Sequence, residues 1–94
     1  MTQKKVLEIL KKEKEIIAKK YGVNSIAIFG SFARGENKED SDIDIVVDMP
    51  SSFENFFDLK YYLEEKLNKK VDLIKKKNLR AFIKKSIQKE LLYV

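Results

Sequence analysis

The chain has 94 residues, of which 44% are hydrophobic and 37% are charged, and its formal net charge is +5. This length and apolar content predict one globular domain over residues 1–94 with a modest core. The chain contains no cysteine and no histidine, which excludes thiol nucleophiles, Ser-His-Asp triads and structural zinc sites. Any bound metal must therefore have oxygen ligands, which favours a hard cation such as Mg²⁺.

The first 41 residues alternate between helical and strand patterns. Apolar residues recur at helical spacing from Thr2 to Lys20, and Tyr21-Gly22 is a typical helix stop. The apolar residues that follow lie between turn signals, as in a short strand. The pattern predicts, in order, a helix over 2–20, a strand over 25–29, a short helix over 31–34 that ends at Gly35, and a polar loop over 36–41.

The second half continues the alternation. A strand over Asp42–Val47 is broken by Met49-Pro50, and a helical pattern over Phe53–Leu67 follows. A third strand is predicted over Lys70–Ile74, and a last helix over Asn78–Tyr93. The order is α-β-α-β-α-β-α, which predicts a small α/β (α+β) fold with helices packed on a three-stranded sheet.

The Gly30-Ser31 pair stands between the first strand and the short helix. Glycine lets a phosphate approach the backbone, and a helix start offers unpaired N–H groups to an anion. The Ser31 hydroxyl could donate to a phosphate oxygen, and Arg34, one turn later, could add a charged contact. Taken alone, the pair is more often a tight turn in which serine caps the helix.

Asp42 and Asp44 interrupt the apolar pattern of the second strand. Residues i and i+2 of a strand share a face, so both carboxylates point one way while Ile43, Ile45 and Val47 point to the core. Two adjacent carboxylates repel unless cations neutralise them, and two metals ~3.5–4 Å apart are the usual partners of such a pair. The alternatives are an Asp42 that caps a turn with Ser41 and an Asp44 exposed at a sheet edge.

Asp72 interrupts the third strand in the same way. If this strand lies beside the second, Asp72 completes a triad that could ligate a metal or accept the proton of an attacking hydroxyl. The alternative is an exposed residue on the face opposite Val71 and Leu73. Taken alone, Asp72 is weak evidence for a functional site, and its interpretation depends on Asp42 and Asp44.

Together these pieces read G-S-F-A-R-G-E-N-K-E-D-S-D-I-D-I from Gly30 to Ile45, followed by K-V-D-L-I around Asp72. This motif resembles the nucleotidyltransferase superfamily that includes DNA polymerase beta, and most closely its minimal nucleotidyltransferase (MNT) branch. The resemblance covers essentially the whole chain. It implies a mixed sheet rather than the all-parallel sheet that strand-helix alternation suggests.

The resemblance also implies roles for these residues. Gly30 and Ser31 would hold the nucleoside triphosphate, with Arg34 as a candidate phosphate contact or a brace of the loop through a carboxylate such as Asp42. Asp42 and Asp44 would bind two Mg²⁺ ions. Asp72 would be the third carboxylate, a metal ligand next to the acceptor hydroxyl. The reaction would be attack of a hydroxyl on the α-phosphate of a nucleotide such as ATP.

The MNT branch is typically paired with a HEPN protein, a small helical ribonuclease toxin. The resemblance therefore implies an antitoxin that transfers AMP to a tyrosine of a HEPN-type toxin in a hetero-oligomer. The alternative is a non-catalytic binding module that neutralises its partner by complex formation alone. The intact set of three carboxylates favours the enzyme.

The net positive charge also allows a nucleic-acid partner, but the pattern argues against direct nucleic-acid binding. Arginine occurs only at Arg34 and Arg80, whereas proteins that read nucleic acids use its forked guanidinium. The run Lys75–Lys77 is better explained as a solvated surface than as a triphosphate contact. With no signal peptide and no long apolar segment, we expect a cytoplasmic protein without membrane association.

Overall fold

The computed structural model describes residues 1–50, 53–79 and 90–94. Up to residue 75, each predicted element is present, with bounds that agree to within about one residue. The described elements, in chain order, are α1 (Gln3–Tyr21), β1 (Ser25–Phe29), α2 (Gly30–Arg34), β2 (Ile43–Asp48), α3 (Phe53–Leu67), β3 (Val71–Lys75), a 3₁₀ turn (Lys76–Asn78) and β4 (Leu92–Tyr93).

Capping residues define both ends of α1. The Thr2 hydroxyl accepts the Lys5 N–H at 3.2 Å, which satisfies one of the free amides of the first turn. Gly22 adopts a left-handed conformation (φ +69°) and its N–H donates to the Ala18 carbonyl at 3.0 Å. One stripe of the helix is buried in the core; it comprises Val6, Leu10, Glu13, Ile17 and Tyr21.

The sheet has four strands in the order β3-β2-β1-β4. Strand β1 is antiparallel to β2 and to β4, whereas β2 and β3 are parallel. The mixed sheet implied by the family resemblance is therefore confirmed, and so is the α/β class.

The prediction of three strands is wrong, because the chain adds a fourth near its C-terminus. Leu92 pairs with Ile28 and Tyr93 pairs with Ala27 on the free side of β1, and the Val94 N–H donates to the Ile26 carbonyl at 3.0 Å. The predicted last helix over Asn78–Tyr93 is accordingly wrong at its end. Residues 80–89 of that prediction, Arg80 among them, lie outside the described residues.

The two faces of the sheet are covered differently. Helices α1 and α3 pack on one face and enclose the main core, in which Ile43, Ile45 and Val47 have no exposed surface. On the other face, Phe29, Val46 and Leu79 form a smaller apolar cluster. Within the described part of the chain, no helix is both long and apolar enough to cross a bilayer.

Candidate active site

Strand β2 places Asp44 on the face that carries the smaller cluster. Its neighbours Ile43 and Ile45 point into the helix-covered core, because side chains alternate along a strand. The predicted division of β2 into a core face and an acidic face is therefore confirmed. Asp44 is half-buried and β2 is an inner strand, so the alternative of a carboxylate exposed at a sheet edge does not hold.

Asp72 lies directly beside Asp44. The two residues are register partners in the parallel pair of β2 and β3, and neighbouring strands are about 4.8 Å apart. Asp72 is exposed, which agrees with the alternative interpretation of an exposed residue on the face opposite Val71 and Leu73. Its carboxylate nevertheless belongs to the residue paired with Asp44 on the neighbouring strand. The structure therefore confirms that β3 lies beside β2 and that Asp72 is a neighbour of Asp44.

Asp42 lies in the loop immediately before β2 and is exposed. The turn in front of it is closed by Ser41, whose hydroxyl accepts the Lys38 N–H at 2.8 Å and whose own N–H donates to the Lys38 carbonyl at 3.1 Å. Ser41 therefore provides the turn's hydrogen bonds, and Asp42 lies close enough to Asp44 for its charge to act on that carboxylate.

The environment of Asp44 disfavours its ionised form. Burial is the largest cause, followed by the charges of Asp72 and Asp42, and together they raise the pKa of Asp44 to about 6. The positive charge of Arg34 acts in the opposite direction. A bound cation would reverse this balance, because it would favour the charged form.

Gly30 lies against the Asp44 carboxylate. Its φ of +71° is in the left-handed region that favours glycine. A Cβ built at Gly30 would collide with the Oδ2 atom of Asp44 and would lie 3.1 Å from its Cγ atom. Glycine at this position therefore permits both the turn between β1 and α2 and the close approach of the backbone to the carboxylate.

Helix α2 is anchored by Phe32, which is completely buried, and this places half-buried Ser31 at the start of the helix. The Ser31 carbonyl accepts the Glu36 N–H at 2.8 Å, and Gly35 ends the helix with φ +71°. Ser31 thus immediately follows the backbone turn that touches Asp44. Gly30 therefore brings Ser31 close to Asp44.

Arg34 contacts two glutamates rather than Asp42. Its Nε atom is 3.0 Å from Glu36 and its Nη1 atom is 3.2 Å from Glu90. The hydrogen bonds to Glu36 and then Glu90 raise the pKa of Arg34 above its usual value. The partnership with Glu90, 56 residues away, has no local sequence signal and was not predicted.

The donor set of this site is suited to a hard cation. Carboxylate oxygens are the ligands that Mg²⁺ prefers. A cation would also relieve the charge repulsion that Asp72 and Asp42 exert on Asp44. Among residues 1–50, 53–79 and 90–94, however, no three acidic side chains are arranged as a ready ligand group for one ion. The carboxylates that could offer oxygen ligands to a metal at this site are those of Asp42, Asp44 and Asp72.

Comparison with known proteins agrees with this arrangement. The family model described as a nucleotidyltransferase domain matches residues 5–94. A candidate protein adenylyltransferase of Methanocaldococcus jannaschii is 49% identical over 98 residues, which cover 99% of this chain and 98% of that protein. The protein adenylyltransferase MntA of Thermococcus cleftensis is 41% identical over 96 residues, which cover 100% of this chain and 97% of that protein.

Solved structures show the same fold. A candidate minimal nucleotidyltransferase superposes with a TM-score of 0.73 at 28% identity and covers 98% of this chain and 95% of that one. A toxin–antitoxin protein crystallised with AMP-PNP superposes with a TM-score of 0.56 at 27% identity, over 88% of this chain and 61% of that one. The chain thus belongs to the nucleotidyltransferase domain family, and it is an enzyme of the minimal nucleotidyltransferase branch.

Proposed function

We propose that this chain is a Mg²⁺-dependent adenylyltransferase that transfers AMP from ATP to a tyrosine hydroxyl of a HEPN-type toxin, and that it acts as the antitoxin of that partner. The observation that carries the proposal is the placement of Asp44 and Asp72 side by side, next to the Gly30-Ser31 turn. This arrangement joins a carboxylate pair to the backbone turn at which α2 begins.

The reaction is balanced without a further reactant. The tyrosine oxygen forms a bond to the α-phosphorus of ATP, the bond from that phosphorus to the oxygen bridging the α- and β-phosphates breaks, and pyrophosphate leaves with the bonding electrons. The tyrosine proton passes to the Asp72 carboxylate and then to solvent. Such transfers depend mainly on positioning and on stabilisation of charge, which suits a chain without histidine or cysteine.

The residues of the site divide metal binding, proton transfer and phosphate binding among them in this scheme. Asp42 and Asp44, with Asp72, would hold Mg²⁺, which supplies charge neutralisation at the phosphates and activates the hydroxyl when bound. Gly30 and Ser31 receive the triphosphate through the backbone turn and the serine hydroxyl. Arg34 contributes positive charge at the edge of the site, where it already acts on Asp44.

The named relatives support the choice of nucleotide and acceptor. Two relatives that align over nearly their full length bear the name protein adenylyltransferase, one as a candidate. A structural neighbour belongs to a toxin–antitoxin pair and carries AMP-PNP, an ATP analogue. The names of the relatives support AMP transfer to a protein, and the name of the structural neighbour supports a toxin–antitoxin pair that uses ATP.

Label transfer from ATP tests the proposal. The protein is incubated with its purified HEPN-type partner, Mg²⁺ and ATP labelled either at the α- or at the γ-phosphate. We expect the partner to take up the α-label only. The double variant Asp42→Asn/Asp44→Asn should transfer nothing, whereas Asp48→Asn, at the far end of β2, should retain transfer.

A different outcome would identify the alternative function. If neither label reaches any protein while wild type and double variant bind the partner equally well, the chain is a binding module that neutralises by contact alone. Transfer that persists in the double variant would show that the carboxylates have been assigned wrongly.

A further inference from the structure

A cleft of about 370 Å³ runs along the outer edge of β3 and reaches the candidate active site at Asp72. A shallower hollow of about 230 Å³ shares part of its wall and extends it toward Phe57. The proposed function assigns no task to either space. The main cleft is lined by Phe56, Asp72, Leu73, Ile74, Lys75 and Asn78.

The outer edge of the β3 backbone faces this cleft. The Ile43 N–H donates to the Lys70 carbonyl at 3.0 Å, so the alternation of a parallel pair turns the N–H and C=O groups of Val71, Leu73 and Lys75 away from β2. In the part of the chain that the structure describes, no strand pairs with this outer edge. Leu73 and Lys75 thus form a short strand edge beside Asp72 that no strand among the described residues covers.

The beginning of the same edge is closed. The Glu64 carboxylate accepts the Val71 N–H at 3.0 Å, so a side chain already occupies the first outward amide. This limits strand addition to the stretch from Leu73 onward, where the cleft lies. Because Glu64 blocks the outer edge at Val71 and the cleft lies at Leu73 and beyond, an added strand can begin to pair only at Leu73.

The side chains of the cleft combine an apolar wall with a cation. Lys75 extends over the Phe56 ring, with its Nζ atom 5.3 Å from the ring centroid, and Phe57 packs edge-on to Phe56 at 5.5 Å between centroids. Lys76 follows directly, but its Nζ atom lies 5.4 Å from the centroid of the Tyr93 ring on β4, so Lys75 is the lysine of this cleft. An apolar or aromatic side chain fits against Phe56, and an acidic side chain fits Lys75.

The cleft and the Gly30-Ser31 turn lie on opposite sides of Asp44. Asp44 is the register partner of Phe29 toward β1 and of Asp72 toward β3. A triphosphate at Gly30-Ser31 would therefore approach Asp44 from the β1 side. This leaves the β3 side to the attacking hydroxyl, in keeping with the in-line geometry of the transfer.

We propose that this cleft is the acceptor site, and that it receives an extended segment of the protein substrate that adds to the edge of β3 and carries an acidic residue opposite Lys75. The inference rests on the proposed function and adds to it the form and charge of the substrate segment. Main-chain hydrogen bonds to the edge would hold the segment, and the Phe56 and Lys75 side chains would select it.

Kinetics with two varied substrates test the inference. Labelling of the purified HEPN-type partner is measured against partner concentration and, separately, against ATP concentration. Lys75→Glu should raise the KM for the partner at least tenfold and leave the KM for ATP within twofold of wild type. Phe56→Ala should act in the same direction.

Matched variants separate the cleft from general effects. Tyr61→Ala removes an exposed aromatic ring elsewhere on α3, and Lys11→Glu makes the same charge reversal on α1; both should leave the two KM values unchanged. Thermal melting shows whether the Phe56→Ala variant is folded. If that variant is unfolded, the KM values of Lys75→Glu alone test the inference.

The possible failures are distinguishable. If wild type labels the partner and Lys75→Glu has an unchanged KM for it, the cleft is not the acceptor site although the proposed function stands. If the KM for ATP rises instead, the cleft binds the nucleotide and the inference is overturned. If wild type labels nothing, the proposed function fails and the acceptor assignment fails with it.

Discussion

At the scale of single residues, Asp44 combines a functional position with a cost in stability. Its pKa of about 6 lies above the usual value of 3.8, so the folded protein binds a proton more tightly than the unfolded chain. Stability contributed by the protonated form is therefore present below about pH 4 and is lost as the pH rises through about 6. Ionised Asp44 destabilises the metal-free fold at neutral pH.

Asp44→Asn should therefore stabilise the metal-free protein at pH 7.5. We expect about 1 kcal/mol, less than the full pKa shift implies because water screens this half-exposed site, and a rise in Tm of about 4–8 °C. Urea denaturation between pH 4 and pH 7.5 measures the effect. The gain should vanish near pH 4, and the control Asp48→Asn should show no such pH-dependent gain; an equal gain at both pH values would contradict the explanation.

Gly30 and Gly35 form a natural pair for testing the contact with Asp44. Both have φ +71°, but a Cβ at Gly35 would meet nothing within 4 Å, whereas a Cβ at Gly30 would meet the Asp44 carboxylate. Gly35→Ala should cost about 1 kcal/mol for backbone strain alone. Gly30→Ala should cost about 1–3 kcal/mol more and should abolish label transfer, as measured by denaturation and the labelling assay. Equal costs for the two variants would argue against the close approach.

At the scale of elements, a polar link joins α1 to α3. The Tyr62 hydroxyl donates to Glu13 Oε1 at 2.5 Å, and Lys66 Nζ is 3.7 Å from the same atom. Glu13 is only 8% exposed, so its carboxylate depends on these partners. The hydrogen bond to Glu13, followed by burial, raises the pKa of Tyr62 to about 12.

Tyr62→Phe should reduce the free energy of unfolding by about 1–3 kcal/mol, because it removes one donor from a buried carboxylate. The ring that packs 5.7 Å from Tyr21 remains, so the loss reports on the hydroxyl. Tyr61→Phe, whose residue is 62% exposed, is the matched control and should change stability by less than about 0.5 kcal/mol. Both variants should keep wild-type label transfer; a loss of transfer in Tyr62→Phe would mean that the link also positions the site.

At the scale of the whole molecule, β4 completes the sheet beside β1. Leu92 packs against the main core, while Glu90, just before β4, pairs with Arg34 at the end of α2. Residues 90–94 thus contact both α2, through Glu90, and β1, through the strand pairing of β4. Strand β1 acquires hydrogen-bonded neighbours on both sides.

Removal of residues 92–94 should lower the free energy of unfolding by about 2 kcal/mol or more, because the packing of Leu92 and the ladder to β1 are lost together. The exposed β1 edge should also promote self-association. Thermal melting and size-exclusion chromatography measure the two effects. Tyr93→Ala keeps the backbone ladder and should cause no self-association, and a truncated protein that remained monomeric with an unchanged Tm would refute the role given to β4.

The sequence alone determined most of the local structure and the identity of the candidate site. Helical periodicity placed α1 and α3, and the alternation along Asp42–Val47 assigned each side chain of β2 to its face, because these patterns depend on neighbours a few residues apart. The combined spacing of Gly30, Asp44 and Asp72 indicated the family.

Only the tertiary structure decided which distant residues meet. Leu92–Tyr93 carry a helical pattern but form a strand, because the free edge of β1 offers hydrogen bonds that no local pattern reveals. The register that sets Asp72 beside Asp44, the pairing of Arg34 with Glu90, and the cleft between Phe56 and Lys75 likewise depend on contacts between separate elements. Such contacts are selected by packing of the whole chain, and packing overrides local propensity.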